Sequence, residues 1–178
     1  FGYISWGHET TLDVNQDGVA GDKAYLWEDL MDFYEDNVPT KNLLQLVLDG
    51  NRKKCDAINP RSRPYSIKYS TSVGNQALFS LQGTPVEKIY QISICGNNDQ
   101  NMINVGQSHG LPRGWRYILI YGKDRTLLDA QVVAFLPKFG NDKNNATEKL
   151  EENVQACVTQ KMSGSLMMLT AVRVKDSQ

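Results

Sequence analysis

Apolar positions along this chain follow a helical period first, then a strand period, then a helical one again. Over residues 23–37, Leu26, Leu30, Phe33 and Tyr34 fall at i, i+4, i+7 and i+8, the stripe a helix turns toward a core. Glu28, Asp29, Asp32, Glu35 and Asp36 lie largely off that stripe. After Pro39, Thr40 is placed to cap a second helix over 41–49, with Leu43, Leu44, Val47 and Leu48 inward and Gly50 at its end. The short linker between them predicts an αα-hairpin.

From Tyr65 the period is two. Tyr65, Ile67 and Tyr69 alternate with Ser66, Lys68 and Ser70. Residues 77–81 follow a Gly74-Asn75 turn, and beyond the Gly83-Thr84-Pro85 break Tyr90, Ile92 and Ile94 alternate with Gln91, Ser93 and Cys95. These predict three antiparallel strands in a meander. Residues 115–121 and 125–136 make a hairpin about Gly122-Lys123-Asp124, and residues 3–4 suit a short edge strand. Leu150, Val154, Cys157 and Val158 then return to helical spacing behind an Asn145 cap with Glu148 three residues on. Residues 166–174 are apolar enough for a central strand. The expected fold is α+β: an antiparallel β-sheet of about five to six strands, with an N-terminal helical hairpin and one late helix packed on it.

Nothing divides the chain. Its 178 residues, 40% apolar and 22% charged, suit a single domain over 1–178. No apolar run approaches the roughly 18–20 residues that span a bilayer. A start at Phe1 rather than Met is expected of a processed or trimmed chain. The long segments 96–114 and 137–144 are expected to be loops.

The net charge of −1 hides a split. Residues 1–50 carry ten acids and two bases, a net of −8; residues 51–178 carry ten acids and seventeen bases, a net of +7. The bases include Arg52, Lys53, Lys54, Arg61, Arg63 and Lys68. The two parts can neutralise each other within the domain. They can also serve a protein partner or head-to-tail contact between copies, acidic face on basic face. An unopposed basic surface for nucleic acid is not expected.

The most specific chemistry lies in Asp13-Val14-Asn15-Gln16-Asp17-Gly18-Val19-Ala20-Gly21-Asp22. Oxygen side chains at alternate positions can converge on a hard cation, and a glycine after the third lets the chain turn around it. The metal candidates are Asp13, Asn15, Asp17, the Val19 carbonyl and Asp22, with Ca2+ the expected ion. The D-x-N-x-D-G spacing resembles the calcium loops of EF-hand and dockerin proteins and the Asp-rich loops of extracellular repeat proteins. That resemblance covers ten residues and implies an extracellular or periplasmic setting. Ala24 stands where an EF-hand loop carries its bidentate Glu. Asp22 is equally placed to cap the helix that follows.

Cys55, Cys95 and Cys157 match no zinc spacing. In an oxidising compartment one disulfide is expected, with Cys55–Cys157 the preferred pair. For catalysis, Cys95 and His109 are the one plausible thiol–base pair, with a separation similar to that in deamidase and transglutaminase-like toxins. Tyr69-Ser70-Thr71-Ser72 resembles the Ser-Thr-Ser strand of ADP-ribosyltransferases, although ordinary solvent-facing hydroxyls account for it as well. Glu28 and Asp32 lie one helical turn apart, as a paired-carboxylate site could, and Trp27, Trp115 or Tyr117 could stack on sugars. Asn145-Ala146-Thr147 is a glycosylation sequon that also serves as a cap. Phosphate loops, nucleotide fingerprints and metalloprotease motifs are absent. The leading expectation is a non-enzymatic calcium-binding structural or interaction domain, such as an adhesin or a pilus-like surface-filament subunit. The alternative is a secreted deamidase-like thiol enzyme using Cys95 and His109.

Overall fold

An antiparallel sheet, buried on both faces, forms the body of the molecule. The structure is a computed structural model. It describes residues 4–12, 14–15, 18–19, 21–36, 41–42, 44–45, 47, 65–73, 79–96 and 114–134, and, near the C-terminus, 155, 157–158, 160, 162–164 and 169–173. The first segment contributes β1 (Ser5–Trp6) and β2 (Thr10–Thr11), then β3 (Val14–Asn15) and β4 (Gly18–Val19), then helix α1 (Ala24–Phe33). There follow β5 (Tyr65–Val73), β6 (Ser80–Leu81), β7 (Thr84–Pro85), β8 (Lys88–Gly96), β9 (Arg116–Tyr121) and β10 (Leu127–Val133).

The main sheet runs β1-β5-β8-β9-β10, with β2 also on β5. β1 and β2 are two pieces of one edge: Trp6 lies opposite Ser72 and Thr10 opposite Tyr69. Between them the Gly7 N–H donates to the Thr71 carbonyl at 2.8 Å. A Cβ on Gly7 would sit 3.4 Å from that same oxygen, so a small residue suits the approach.

Each central strand supplies two cores. On β9, Tyr117, Leu119 and Tyr121 join the core under α1, and Ile118 and Ile120 join a second core on the other face. All five are buried, which explains an unbroken apolar run where a one-sided strand would alternate. Leu26, Trp27, Leu30 and Tyr34 bring α1 onto the first face, joined there by Leu44 and Val47. Leu81, Val86 and Ile89 cover the second face, with Ile4, Trp6, Phe79, Leu128, Val133 and Val172 packed around them.

Several expectations are corrected. The N-terminal helical hairpin with a late helix is replaced by a sheet-dominated fold with one continuous helix among the described residues. Within the expected second helix, the described residues 41–42, 44–45 and 47 are helical, and the rest of 41–49 lies outside the described residues. Gln155, Cys157, Val158, Gln160 and Met162 have no regular structure, and Val158 is 92% exposed. Residues 169–173 are not a strand, and Leu169 is fully exposed. Residues 145–154, the larger part of the expected late helix, lie outside the described residues. Residues 80–85 are not the middle of a meander. They form their own β6–β7 hairpin, turned by Gln82 and Gly83 at φ 49° and 75°, while β5 pairs directly with β8. On α1, Trp27 takes the buried place expected of Phe33, which is 47% exposed. Among the described residues no helix is long and apolar enough to cross a membrane.

Candidate functional site

The cation-loop segment folds back on itself. β3 and β4 pair Val14 with Val19 and Asn15 with Gly18, so Asn15 and Val19, two of the ligand candidates, lie on opposite strands of one small hairpin. Asp13 and Asp17 are outside the described residues. Asp22 follows Gly21, which adopts φ 97°, a conformation glycine takes without strain. The Asp22 side chain is 84% exposed and lies 3.7 Å from the Lys23 ammonium. It does not cap α1: Lys23 occupies the N-cap position, with no side-chain hydrogen bond there. Among the described residues no three His, Cys, Asp or Glu side chains gather as a metal site, a set that includes neither Asp13 nor Asp17. An acidic, solvent-facing Asp22 suits an oxygen-ligated cation, which would have to displace the Lys23 contact.

The other chemical candidates disperse. Cys95 is half-buried within β8, opposite Ser66, and His109 is outside the described residues. Cys157 is free and exposed among the described residues, and Cys55, the other half of the expected Cys55–Cys157 pair, lies outside them. Ser70 and Ser72 are each 4% exposed, not solvent-facing, and the Ser72 hydroxyl accepts the Ile89 N–H at 3.2 Å. They are structural partners within the sheet. Trp27, Trp115 and Tyr117 are core residues and offer no open stacking face.

Two features remain. The first is the outward face of α1 and the turn after it, where Glu28, Asp32, Phe33, Glu35 and Asp36 are all exposed. Lys41 reaches Glu35 at 3.6 Å, but Glu28, Asp32 and Asp36 have no ion-pair partner among the described residues. Other N-terminal acids do turn inward. Glu9 takes Lys68 at 3.1 Å and accepts from the Ser93 hydroxyl at 3.1 Å, and Asp29 accepts from Tyr121 at 2.7 Å.

The second is a cavity of about 160 Å³ at the start of α1, between it and the ends of β8 and β9. Lys23, Tyr25, Lys88, Tyr90, Tyr121 and Arg125 line it, with Glu87 and Gly122. Its wall is a tyrosine cluster. Tyr25 and Tyr90 each meet Tyr121 edge-to-face, with centroids 5.5 and 5.7 Å away. Lys23 Nζ lies 5.8 Å from the centroids of both Tyr25 and Tyr90, and the Arg125 guanidinium lies 4.9 Å from that of Tyr25. Asp124 and Arg125 hold φ 57° and 61°, a left-handed turn that brings Arg125 over the ring. Burial raises the Tyr121 phenol above its ordinary pKa, and the hydrogen bond to Asp29 raises it further. Burial does the same for Tyr25, aided by its bond to Tyr90. Both phenols therefore stay neutral donors through the physiological range.

This cavity escaped sequence reasoning because its walls come from residues 23–25, 87–90 and 121–125, brought together by the β8–β9 pairing and not by any motif. The nearest signal was Gly122-Lys123-Asp124-Arg125, a turn rich in charge. Compared with models of known protein families, with characterised proteins and with solved structures, the chain shows no significant match, so its function rests on the geometry described above.

Proposed function

We propose that this chain is a non-enzymatic extracellular or periplasmic interaction domain that binds Ca2+ at its Asp13–Asp22 segment and associates head-to-tail with further copies of itself. The observation that carries the reading is the acidic face of α1. Carboxylates of Glu28, Asp32 and Asp36 point to solvent without cations against them among the described residues, beside the exposed ring of Phe33. An acidic helix end is unfavourable by itself, because the C-terminal end of α1 already carries partial negative charge. A basic surface docked there relieves that cost. Residues 51–178, with a net charge of +7, can supply such a surface. One face meeting a different face makes an open, filament-forming contact.

The calcium part rests on the donor set and its position. The loop leads straight into α1, and its twelfth position, Ala24, is the first residue of that helix and not a bidentate Glu. A shell without that ligand is weak, in the range of about 10⁻⁴–10⁻³ M that suits extracellular modules.

Light scattering across a salt series tests the association. The mean mass should rise with protein concentration at low salt and fall to the monomer as salt screens the contact over about 10 Å at 0.1 M. Asp32→Lys with Asp36→Lys should abolish the rise. A monomer at every concentration and salt would refute self-assembly. Melting with calcium and with excess chelator tests the loop. A site held at about 100 times its dissociation constant adds about 2.7 kcal/mol of stability, and identical melts would refute the ion.

A further inference from the structure

We propose that the tyrosine-walled cavity at the start of α1 is a binding site for a phosphate group, free or carried as a monoester on a small molecule. Three cations, Lys23, Lys88 and Arg125, line it against one lining carboxylate, Glu87, with Asp22 and Asp29 behind Lys23 and Tyr121. The excess of cations in the lining favours an anion. Arg125 and Lys88 have no carboxylate partner among the described residues, so their donors are available to an incoming oxyanion. Lys23 is shared with Asp22 at 3.7 Å, a loose contact that a closer dianion can outcompete.

A hydroxyl donor completes the set. Tyr121 gives its proton to Asp29 at 2.7 Å. Tyr25 and Tyr90 share a single 3.2 Å hydrogen bond, which uses one of their two O–H groups. The other O–H has no acceptor among the described residues, although Tyr90 is only 6% exposed. Tyr90 lines the cavity, so an oxyanion there can accept that proton. The remaining geometry fits a tetrahedral anion better than a large organic one. Arg125 already covers the face of Tyr25, so the ring is not open for stacking, and about 160 Å³ holds a phosphate with room for a small ester group. The left-handed backbone at Asp124 and Arg125 is a local strain that fixes the guanidinium over the cavity. The site lies apart from the outward acidic face of α1, so it can operate in the monomer.

Calorimetric titration of the whole chain with inorganic phosphate, in calcium-free buffer at constant ionic strength, tests this directly. Saturable one-to-one binding is expected. Arg125→Gln and Lys88→Gln, both at exposed positions whose replacement spares the core, should each weaken it by about tenfold or more, the scale of one charge-assisted hydrogen bond. Tyr90→Phe should weaken it by a smaller factor. Lys123→Gln, in the same turn but outside the cavity, should leave it unchanged. Absence of saturable heat would overturn the proposal. So would equal losses in Arg125→Gln and Lys123→Gln, which would mean diffuse charge and not a site. Acetate binding as tightly as phosphate would overturn the assignment to a tetrahedral dianion. A phosphate monoester such as methyl phosphate, bound as well as inorganic phosphate, would mark an esterified ligand as the natural source.

Discussion

The hydroxyl of Tyr121 on β9 donates a 2.7 Å hydrogen bond to the carboxylate of Asp29 on α1. It ties the helix to the sheet at a point where Tyr121 is 2% exposed and Asp29 is half-buried. Hydrogen bonds to charged groups contribute more than neutral ones, and water reaches this carboxylate only in part. Tyr121→Phe keeps the ring contacts with Tyr25 and Tyr90 and removes only the donor. It should cost about 1–2 kcal/mol, seen as a lower urea midpoint at unchanged slope. Asp29→Asn should cost a similar amount, and the double variant less than the sum, because both changes remove one interaction.

Buried tyrosines set the alkaline limit of the fold. Burial pushes the Tyr34 phenol up to about 12, with the Asp129 carboxylate adding to it, against an ordinary value of 10.0. Tyr25 and Tyr121 are raised as well, chiefly by burial. A phenol whose folded pKa lies above its unfolded one favours the folded chain fully below the unfolded value. That contribution declines as pH rises past 10.0 and is gone above the folded value. Stability should therefore be flat for these groups up to about pH 10 and fall steadily above it. Phenolate absorbance should show three late tyrosines ionising together with loss of far-ultraviolet dichroism. Three phenols titrating normally in a still-folded chain would contradict the buried cluster.

Helix α1 offers a direct test of which residues face the core. Leu30 is fully buried and Phe33 is 47% exposed. Leu30→Ala should destabilise by about 2–5 kcal/mol, the usual range for a buried leucine truncated to alanine. Phe33→Ala should stay within about 1 kcal/mol, its contact with Tyr34 being the main loss. A larger loss at Phe33 would place the buried stripe where simple periodicity puts it.

That one-position difference shows what the sequence could and could not reveal. The Leu26–Leu30 spacing was enough to predict α1, but it could not choose between Trp27 and Phe33 as the flanking core residue. Only the shape of the sheet face beneath the helix makes that choice. β9 and β10 were legible because Tyr117 to Tyr121 is too apolar for a loop and Gly122-Lys123-Asp124 breaks it. Alternation marked β5 and β8. It could not show that residues between them fold into a separate β6–β7 hairpin, since a strand's partner is a long-range property. Leu150, Val154 and Cys157 carry helical spacing, yet Cys157 is exposed. Periodicity indicates a face that could be buried, not whether a surface remains to bury it. The cavity was invisible for a related reason, as Lys23, Lys88 and Arg125 have no sequence relation to one another.

Cysteine accessibility gives a chemical readout of the C-terminal part. Cys157 is exposed and Cys95 half-buried within β8. A thiol reagent should modify Cys157 first and Cys95 more slowly, with the order read by peptide mass spectrometry. Cys157→Ser should remove the fast phase and change stability by no more than about 0.5 kcal/mol, as expected of a surface position. Slow labelling of Cys157 would indicate that it is covered.

A side chain on β10 pairs with the C-terminal segment as a strand would. On β10, the Gln131 amide nitrogen donates to the Arg173 carbonyl at 2.6 Å, and its oxygen accepts the Arg173 N–H at 3.1 Å. One glutamine thus satisfies both backbone groups of a residue that belongs to no strand. The neighbouring Val172 rests on the second core, beside Val133. Asp129 accepts a further bond from the Gln131 amide at 2.9 Å and holds it in place. Gln131→Leu keeps the volume and removes both backbone contacts. It should raise the rate of proteolysis and of hydrogen exchange near Arg173 by about tenfold, as a local opening made easier by two exposed hydrogen bonds requires. Global stability should fall by no more than about 1–2 kcal/mol, because the cores on either face of the sheet are untouched. Unchanged exchange at residues 171–173 would mean that the glutamine contributes nothing to anchoring the segment.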